Sequence, residues 1–365
     1  MKQKKQIVQT CLLLGLCLLL GLASLLKPDL AVSKKERRRL RQAPAFNLAS
    51  VLSGKWQSGL ESYLQDQSAF RDQLLDLRSI VETDVFLDRQ DGSLVSENGS
   101  LISRSNAINT ESLEHVARLF STILEEDLLP AGCKVYLSII PDKGAYLSDQ
   151  IPSLDYAALM EDCYQLIDQA IPVHIETTLD LSNYYATDPH WKQENLMDTA
   201  NLLADTMGVT IDHDLSEKTV LSNFVGSYGG QTSLPARQDA LTILESDQMK
   251  DWTVTIPGSD GPQEVDLYDL ETANGIDPYA VYLQGNPGII TIENPHGEKG
   301  RELIVFRDSF GSSLIPLIAS GYEKVIAVDL RNCPSWQLDR YIDFHGQDCL
   351  FLFSTSVLND SASLK

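Results

Sequence analysis

Two short segments of the sequence combine a serine, a histidine and an aspartate in patterns typical of nucleophilic catalysis. In the first, four apolar residues (303–306) lead through Arg307 and Asp308 to Ser309. In the second, Asp188 stands two residues before His190. A histidine can remove the proton of a serine hydroxyl while an aspartate fixes the tautomer of that histidine. We therefore take Ser309, His190 and Asp188 as candidate nucleophile, base and orienting residue of an acyl-transfer site.

Structural explanations compete with this hypothesis at each residue. Ser309 also suits a helix N-cap, and Thr187 or Asp188 suits the cap of a helix that follows Trp191. The remaining histidines lack a comparable neighbour and are interpreted as structural or solvated: His115, His174, His213, His296 and His345.

The elements that must position these residues follow an alternating rhythm. The 303–306 run suits a strand covered on both faces, and residues from 312 onward predict a helix. The spacing elsewhere predicts helices at 111–129, 156–170 and 195–207 and strands at 135–140, 173–175, 324–328 and 349–353. Such alternation is typical of an α/β fold with a mainly parallel sheet, where ligands bind beyond the carboxyl ends of the strands. Residues 209–300 are rich in glycine and proline and predict a β-rich insertion.

The N-terminal region predicts attachment to a membrane. We divide the chain into a cytoplasmic tail (1–6), a transmembrane anchor (7–26), a basic linker (27–45) and one α/β domain (46–365). Residues 7–26 contain no charge, and that length spans a bilayer at about 1.5 Å per residue. A cleaved signal peptide is the alternative. The flanking Lys/Arg count would place the domain in the cytoplasm.

Charge and cysteine content limit the classes of function. The formal charge is −22, and residues 1–42 hold ten Lys/Arg and two acidic residues, so the rest of the chain carries −30. That charge argues against nucleic acid and anionic polymers as partners and favours a neutral glycan or small donor. The domain's cysteines are Cys133, Cys163, Cys333 and Cys349, without CxxC spacing, so a metal site has no support. The sequence also contains no GxGxxG motif and no Walker loop, and no cofactor is expected. They are either free or paired, and Cys333–Cys349 is the disulfide we would test first.

At the level of motifs the chain resembles the DHHW family of bacterial cell-surface proteins, which is related to the alginate O-acetylation proteins of the SGNH-hydrolase-like group. The specific blocks are Asp188-Pro189-His190-Trp191 and Asp308-Ser309-Phe310. The others are residues 70–72, 85–101, Pro141-Asp142-Lys143, 224–227, 285–286 and 329–331. The resemblance implies an SGNH-hydrolase-like α/β/α sandwich with permuted order, in which Asp188 and His190 precede the nucleophile Ser309. It also implies an extracytoplasmic domain on its anchor, which we adopt over the Lys/Arg count, and a membrane-bound O-acyltransferase as partner.

The chain departs from the related motifs at two positions. Pro189 stands where the family has a second histidine, and Arg307 replaces the glycine of the Gly-Asp-Ser motif. Arg307 is expected to pair with Asp308, to crowd the oxyanion site or to face solvent at a strand end. Asp329 and Arg331 are expected to form a structural ion pair. Further candidates for oxyanion or substrate binding are Phe310, Asn286, Trp191 and Arg307.

The sequence thus predicts an O-acetyltransferase or acetylesterase that acts on cell-envelope polysaccharide through an acyl-serine. The alternative is a non-catalytic surface scaffold or glycan-binding partner of a membrane-bound O-acyltransferase. An enzyme requires the Ser309 hydroxyl within about 2.6–3.2 Å of a His190 ring nitrogen, whereas a scaffold does not.

Overall fold

The computed structural model describes residues 10, 14–15, 18–24, 26–33, 38–81, 90–105, 107–148, 151, 153–165, 167–232 and 234–365. The predicted cytoplasmic tail lies outside these residues, as do residues 7–9, 11–13, 16–17 and 25 of the predicted anchor and 34–37 of the predicted linker. Among the described residues, no helix is both long and apolar enough to cross a membrane.

The described residues divide into two compact units, one within 1–91 and 229–234 and the other within 92–228 and 235–365. The first unit contains strands β1 (Val32–Ser33), β2 (Arg38–Arg39) and β3 (Gln90–Asp91) and helices α1 (Leu48–Leu52), α2 (Lys55–Gln67) and α3 (Arg71–Ile80). Asn47 caps α1 by accepting a hydrogen bond from the Ala49 N–H at 2.9 Å. At the end of α2, the buried Asp66 accepts a bond from the Arg41 N–H at 2.8 Å, which ties the preceding segment to this helix.

The second unit is built on an eight-stranded sheet. The strands of this unit, of which eight form the large sheet, are β4 (Leu94–Glu97), β5 (Ser100–Ser103), β6 (Lys134–Ile140), β7 (Ile171–Pro172), β8 (Ser216–Phe224), β9 (Asp239–Glu245), β10 (Thr253–Gly258), β11 (Gly261–Glu264), β12 (Ile289–Glu293), β13 (Glu298–Arg307), β14 (Tyr322–Val328) and β15 (Asp348–Ser354). The order across the large sheet is β11-β10-β12-β14-β13-β15-β6-β7. Neighbours from β14 to β7 are parallel, whereas β12, β10 and β11 continue the sheet antiparallel.

Helices cover both faces of this sheet. The helices that follow β5 are α4 (Thr110–Ile123), α5 (Tyr156–Gln165), α6 (Met197–Met207), α7 (Ser227–Gln231), α8 (Gly311–Ile318) and α9 (Thr355–Asn359). Successive residues of β13 alternate between the layers: Leu303 and Val305 pack in the core with α6 and α8, and Ile304 and Phe306 pack with α4 and α5. The predicted α/β class with a mainly parallel sheet is confirmed.

Residues 209–300, the range predicted as a β-rich insertion, contribute to two sheets. Strands β8 and β9 form a separate antiparallel pair. Strands β10, β11 and β12 instead extend the large sheet beyond β14. A cluster of buried aromatic and aliphatic residues packs with β8 and β9: Tyr185, Phe224, Leu241, Ile243, Tyr268, Ala273, Tyr279, Val281 and Tyr282.

The central cysteines do not form the disulfide that we placed first. Cys133, Cys163, Cys333 and Cys349 are all free and buried. Cys349 lies within β15, where its neighbours are on β13 and β6. Its thiol donates to the Gln347 carbonyl oxygen at 3.9 Å, and the thiol of Cys133 donates to Gln347 Oε1 at 3.6 Å. The predicted ion pair of Asp329 and Arg331 is confirmed, with two bonds of 2.9 and 2.7 Å.

Candidate active site

Ser309 lies in the turn that joins β13 to α8. The strand ends at Arg307 and the helix begins at Gly311, so the serine projects from the carboxyl edge of the parallel strands. The buried Asp308 fixes this turn, because its carboxylate accepts bonds from the N–H groups of Phe310 (3.0 Å) and Ser354 (2.7 Å). Helix α8 has no side-chain N-cap bond, so Ser309 does not serve as the helix cap that competed with its catalytic interpretation.

The structure brings Ser309, His190 and Asp188 into one hydrogen-bonded chain. His190 Nε2 lies 2.8 Å from the Ser309 hydroxyl oxygen, and His190 Nδ1 lies 2.6 Å from Asp188 Oδ1. An ionised carboxylate can only accept, so Nδ1 carries the hydrogen and Nε2 is left to accept the serine proton. This arrangement is that of a nucleophile, a general base and an orienting acid.

Asp188 stays ionised although it is almost fully buried. Burial raises the pKa of its carboxyl, but the adjacent His190 ring and the Ser227 N–H at 2.7 Å lower it, and the net value is about 2. The backbone at Gly226 runs so close that a Cβ there would overlap the Asp188 Cβ and the Thr187 carbonyl oxygen. Only glycine permits this approach, which brings the Ser227 N–H to the carboxylate.

Two buried charges from distant segments hold the loop that carries Asp188. Lys143 is 2% exposed, and its ammonium donates to the carbonyl oxygens of Tyr185 (2.8 Å), Ala186 (3.3 Å) and Asp188 (3.2 Å), and also to that of Leu101. Burial lowers the pKa of Lys143 to about 7. From β9, the Asp239 carboxylate accepts bonds from the N–H groups of Ala186 and Thr187 at 2.9 and 2.8 Å.

Aromatic rings enclose the imidazole of His190. The ring of Tyr279 is stacked on it, with centroids 3.9 Å apart and planes 8° apart, and the Phe310 ring lies at 4.8 Å. Trp191 is fully buried, and its indole N–H donates to the Phe310 carbonyl oxygen and to the Ser313 hydroxyl, both at 2.9 Å. Trp191 therefore joins the loop that carries Asp188 and His190, here called the histidine loop, to α8. Because its side chain is fully buried, Trp191 is not placed to contact a substrate, contrary to expectation.

Arg307 is fully buried rather than solvent-facing, and it does not pair with the Asp308 carboxylate. Its guanidinium donates to Asn286 Oδ1 and to the Ser312 hydroxyl, both at 2.9 Å, and to the Gly285 carbonyl oxygen at 3.3 Å. Burial lowers its pKa to about 10. The interpretations of Arg307 as a solvated strand end and as an ion-pair partner of Asp308 are therefore wrong, because the 285–286 loop covers its side chain.

The two candidate oxyanion donors differ in their availability. The Phe310 N–H is bonded to Asp308, so it is not free to bind an oxyanion, contrary to expectation. Asn286 Oδ1 accepts a bond from the Arg307 guanidinium, and this bond directs the amide NH₂ of Asn286 away from the guanidinium. The loop before it is unusual, since Leu283, Gln284 and Gly285 all have positive φ angles of 48°, 57° and 75°. Such consecutive left-handed residues indicate a strained loop.

Several residues at this site were not singled out from the sequence. Lys143 and Gly226 belong to motif blocks named above without a role for either residue, and Asp239, Tyr279 and Ser313 carried no local signal. Each reaches the site only through the fold. Among the described residues, no group of three or more His, Cys, Asp or Glu side chains is arranged to hold a metal ion.

Comparison with solved structures identifies proteins of the same fold. A DHHW family protein from Eubacterium siraeum aligns over 74% of this chain and 93% of its own, with a TM-score of 0.56 and 17% identity. Bacillus cereus PatB1, solved with a sulfonyl adduct, aligns over 73% of this chain and 95% of its own, with a TM-score of 0.58 and 18% identity. Pseudomonas aeruginosa AlgX gives a TM-score of only 0.36, at 10% identity, over 73% of this chain and 67% of its own.

No protein-family model matches the sequence, and no curated protein is significantly similar to it. The structural alignments with the DHHW family protein and PatB1 confirm the resemblance at the level of the fold, which is an SGNH-hydrolase-like α/β fold.

Proposed function

We propose that this chain is an O-acetyltransferase or acetylesterase that acts on cell-envelope polysaccharide through an acyl-serine. The observation that carries the proposal is the continuous chain of bonds from Asp188 through His190 to Ser309, at 2.6 and 2.8 Å. These distances lie within the range that a serine nucleophile and its base need, which supports the enzyme over the scaffold.

In the first half of the reaction, Ser309 attacks the acyl carbonyl carbon. As the bond from its oxygen forms, its proton passes to His190 Nε2, and the carbonyl π electrons move onto the oxygen. When the tetrahedral intermediate collapses, the bond to the leaving alcohol breaks, and His190 returns its proton to that alcohol. Asp188 remains a carboxylate throughout, because its pKa of about 2 lies far below neutral pH.

In the second half, an acceptor hydroxyl attacks the acyl-serine by the same steps. His190 takes the acceptor proton and returns it to Ser309. A sugar hydroxyl as acceptor makes the protein a transferase, and water makes it an esterase. We assign the Asn286 amide NH₂ as an oxyanion donor, supported by its bond to the buried Arg307. Losing one such donor typically raises the barrier by about 2.7–4 kcal/mol.

The charge of the chain supports the proposed substrate class, and the N-terminal sequence supports the proposed location. Beyond residue 42 the chain carries a formal charge of −30, which favours a neutral glycan over an anionic polymer. The uncharged segment 7–26 supports a single membrane anchor, and we propose that the domain lies outside the cytoplasm beside a membrane-bound O-acyltransferase that supplies acyl groups.

The test uses the full chain in detergent and p-nitrophenyl acetate as acyl donor. We expect a burst of p-nitrophenol followed by slow turnover in the native protein, and a loss of at least about 10³-fold in Ser309→Ala. Ser148→Ala is the matched control, because Ser148 is exposed, and its rate should equal that of the native protein. A sulfonyl fluoride should label the native protein and the control but not Ser309→Ala.

Equal rates in the native protein and Ser309→Ala would contradict the proposal and leave the scaffold as the better interpretation. If the activity depends on Ser309, the acceptor is identified by adding a neutral oligosaccharide together with p-nitrophenyl acetate and following acetylation of the oligosaccharide by mass spectrometry. Acetylated oligosaccharide identifies a transferase, and release of acetate alone identifies an esterase.

A further inference from the structure

Of the two rings that contact the proposed catalytic base among the described residues, Tyr279 lies nearer. Its ring lies parallel to the His190 imidazole, with centroids 3.9 Å and planes 8° apart. Tyr279 itself is 3% exposed and lies in a short 3₁₀ segment, Pro278–Val281, more than eighty residues from the histidine in sequence. The stacking is therefore a tertiary contact that the fold builds, not a consequence of local chain geometry.

The hydroxyl group of Ser313 links the Tyr279 ring to the histidine loop and to the helix that follows Ser309. The Tyr279 hydroxyl lies 2.8 Å from the Ser313 hydroxyl oxygen, which also accepts the bond from the indole N–H of Trp191. Ser313 is fully buried on α8, the helix that begins beside Ser309, and Trp191 directly follows His190. Ser313 thus connects the stacking ring, the histidine loop and the nucleophile helix.

The stacking matters because His190 becomes an imidazolium during acyl transfer. An aromatic face attracts a cation, and the attraction is stronger where water is excluded. Burial raises the pKa of Tyr279 well above its usual value, so its hydroxyl stays protonated and its ring neutral. A neutral ring held parallel to the imidazole therefore both fixes the imidazole plane and favours the charged form.

We propose that Tyr279 is a positioning residue that aligns His190 with Ser309 and stabilises the protonated imidazole through its ring face. The catalytic part of this inference rests on the proposed function. Other charged groups near His190 and Tyr279 stay in place when Tyr279 is replaced: Asp188 on the histidine loop, Asp308 and Arg307 at the nucleophile turn, Lys143 after β6, and Asp239 with Lys192 beside that loop.

Two substitutions separate the ring face from the hydroxyl. Tyr279→Phe keeps the ring and loses the bond to Ser313, whereas Tyr279→Leu removes the ring. The first readout is NMR of the full chain in detergent with ¹³C-labelled histidines, where His190→Gln identifies the His190 signal. We expect the pH midpoint of that signal to fall by about 0.4–1.5 units in Tyr279→Leu, and by less than about 0.2 in Tyr279→Phe.

The second readout is the pH dependence of p-nitrophenyl acetate turnover. Since His190 must be neutral to accept the serine proton, the acid side of the kcat/KM profile should move to lower pH in Tyr279→Leu by the same amount as the NMR midpoint. In Tyr279→Phe the profile should keep its position while kcat falls a few-fold. A purely structural role would lower kcat without moving the profile.

The two readouts keep the inference separate from the proposed function. If the native protein shows no Ser309-dependent turnover, the proposed function fails, and the NMR midpoints still decide whether the ring stabilises the cation. Equal midpoints in the native protein and Tyr279→Leu would overturn the inference, as would a rise in the midpoint, because a rise shows that the ring mainly shields His190 from water.

A variant that keeps an aromatic ring of similar size covers the case in which Tyr279→Leu does not fold. Pentafluorophenylalanine incorporated at position 279 keeps a planar ring but removes the negative charge of its face. We expect its midpoint to lie below that of Tyr279→Phe. A midpoint equal to that of Tyr279→Phe would overturn the inference.

Discussion

The candidate active site has a nucleophile half, which is Ser309 with its turn after β13, and a histidine half, which is the loop that carries Asp188 and His190. These two halves are held in place by different means. Ser309 lies at the end of β13, a strand with parallel neighbours on both sides and fully buried residues before the turn. His190 lies in an irregular loop whose only strand-like pairing among the described residues is an isolated bridge between Tyr184 and Trp191. That loop is bonded instead to side chains from distant segments, chiefly Lys143 and Asp239.

This difference has an energetic consequence. A backbone ladder distributes its hydrogen bonds over many residues, so that one substitution removes little of it. A loop held by a few buried polar side chains is more vulnerable, because each lost partner leaves a buried group unsatisfied at a cost of about 1–3 kcal/mol. We therefore expect single substitutions to disturb the histidine half more than the nucleophile half.

The largest expected effect is that of Asp188→Asn on the rate. The asparagine keeps the shape of the side chain, but its NH₂ can donate to His190 Nδ1 and so favour the tautomer that cannot accept the serine proton. We expect kcat for p-nitrophenyl acetate to fall by about 10⁴-fold, equivalent to about 5.4 kcal/mol. Steady-state kinetics of the full chain measure this loss.

Asp251→Asn is the matched control for that experiment. Asp251 also bonds a histidine, His296, at 2.7 Å, but both side chains are exposed and lie outside the candidate site. Its kcat should stay within about twofold of the native value. A similar small change in Asp188→Asn would show that the carboxylate does not orient the base.

Lys143→Met should have the next largest effect, and it acts on the stability of the histidine loop. The substitution removes a buried donor to the carbonyl oxygens of Tyr185, Ala186 and Asp188. Two or more unsatisfied carbonyl groups give an expected loss of about 3 kcal/mol in the free energy of unfolding. Chemical denaturation near pH 10 measures it, because the lysine is neutral in the folded state there and the cost of burying its charge, which opposes the lost bonds at lower pH, is small.

Lys134→Met provides the comparison on the neighbouring strand. Lys134 begins β6 and is exposed, so its replacement should change the free energy of unfolding by less than about 0.5 kcal/mol. If Lys143→Met is as stable as Lys134→Met near pH 10, the loop does not depend on the bonds that Lys143 donates, and the two halves of the site are not held differently in the way we describe.

The nucleophile half was largely predictable from sequence because its determinants are local. A short apolar run before Asp308 and Ser309, followed by a helical segment, predicts a strand, a turn and a helix without knowledge of the rest of the chain. Asp188 and His190 were recognisable for the same reason, since only Pro189 separates them. The sheet's antiparallel extension by β10–β12 was not predicted, since edge pairing depends on which strand each segment reaches.

The supports of the histidine half were not predictable, because they join residues far apart in sequence. Lys143 lies more than forty residues before the loop, and Asp239 about fifty after it. A lone lysine or aspartate is normally solvated, so neither residue type signals a buried bond. Arg307 was misjudged for the same reason, because its burial depends on the 285–286 loop, which lies over twenty residues upstream.

The smallest expected effect concerns Asp142, which lies beyond β6 on the nucleophile side and accepts a bond from the Thr355 hydroxyl at 2.7 Å. Burial raises its pKa to about 6, whereas Asp188 in the histidine half has a pKa of about 2. The signs of their contributions are therefore opposite. Folding favours protonated Asp142, so stability falls as pH rises from about 4 to 6, whereas the contribution of Asp188 is lost as pH falls from about 4 to 2.

Between pH 4 and 7.5, Asp142→Asn should gain about 1–2 kcal/mol in free energy of unfolding relative to the native protein. Urea denaturation of both proteins at the two pH values measures this, and a difference that does not change with pH would show that Asp142 is ionised normally and that the nucleophile half tolerates its charge.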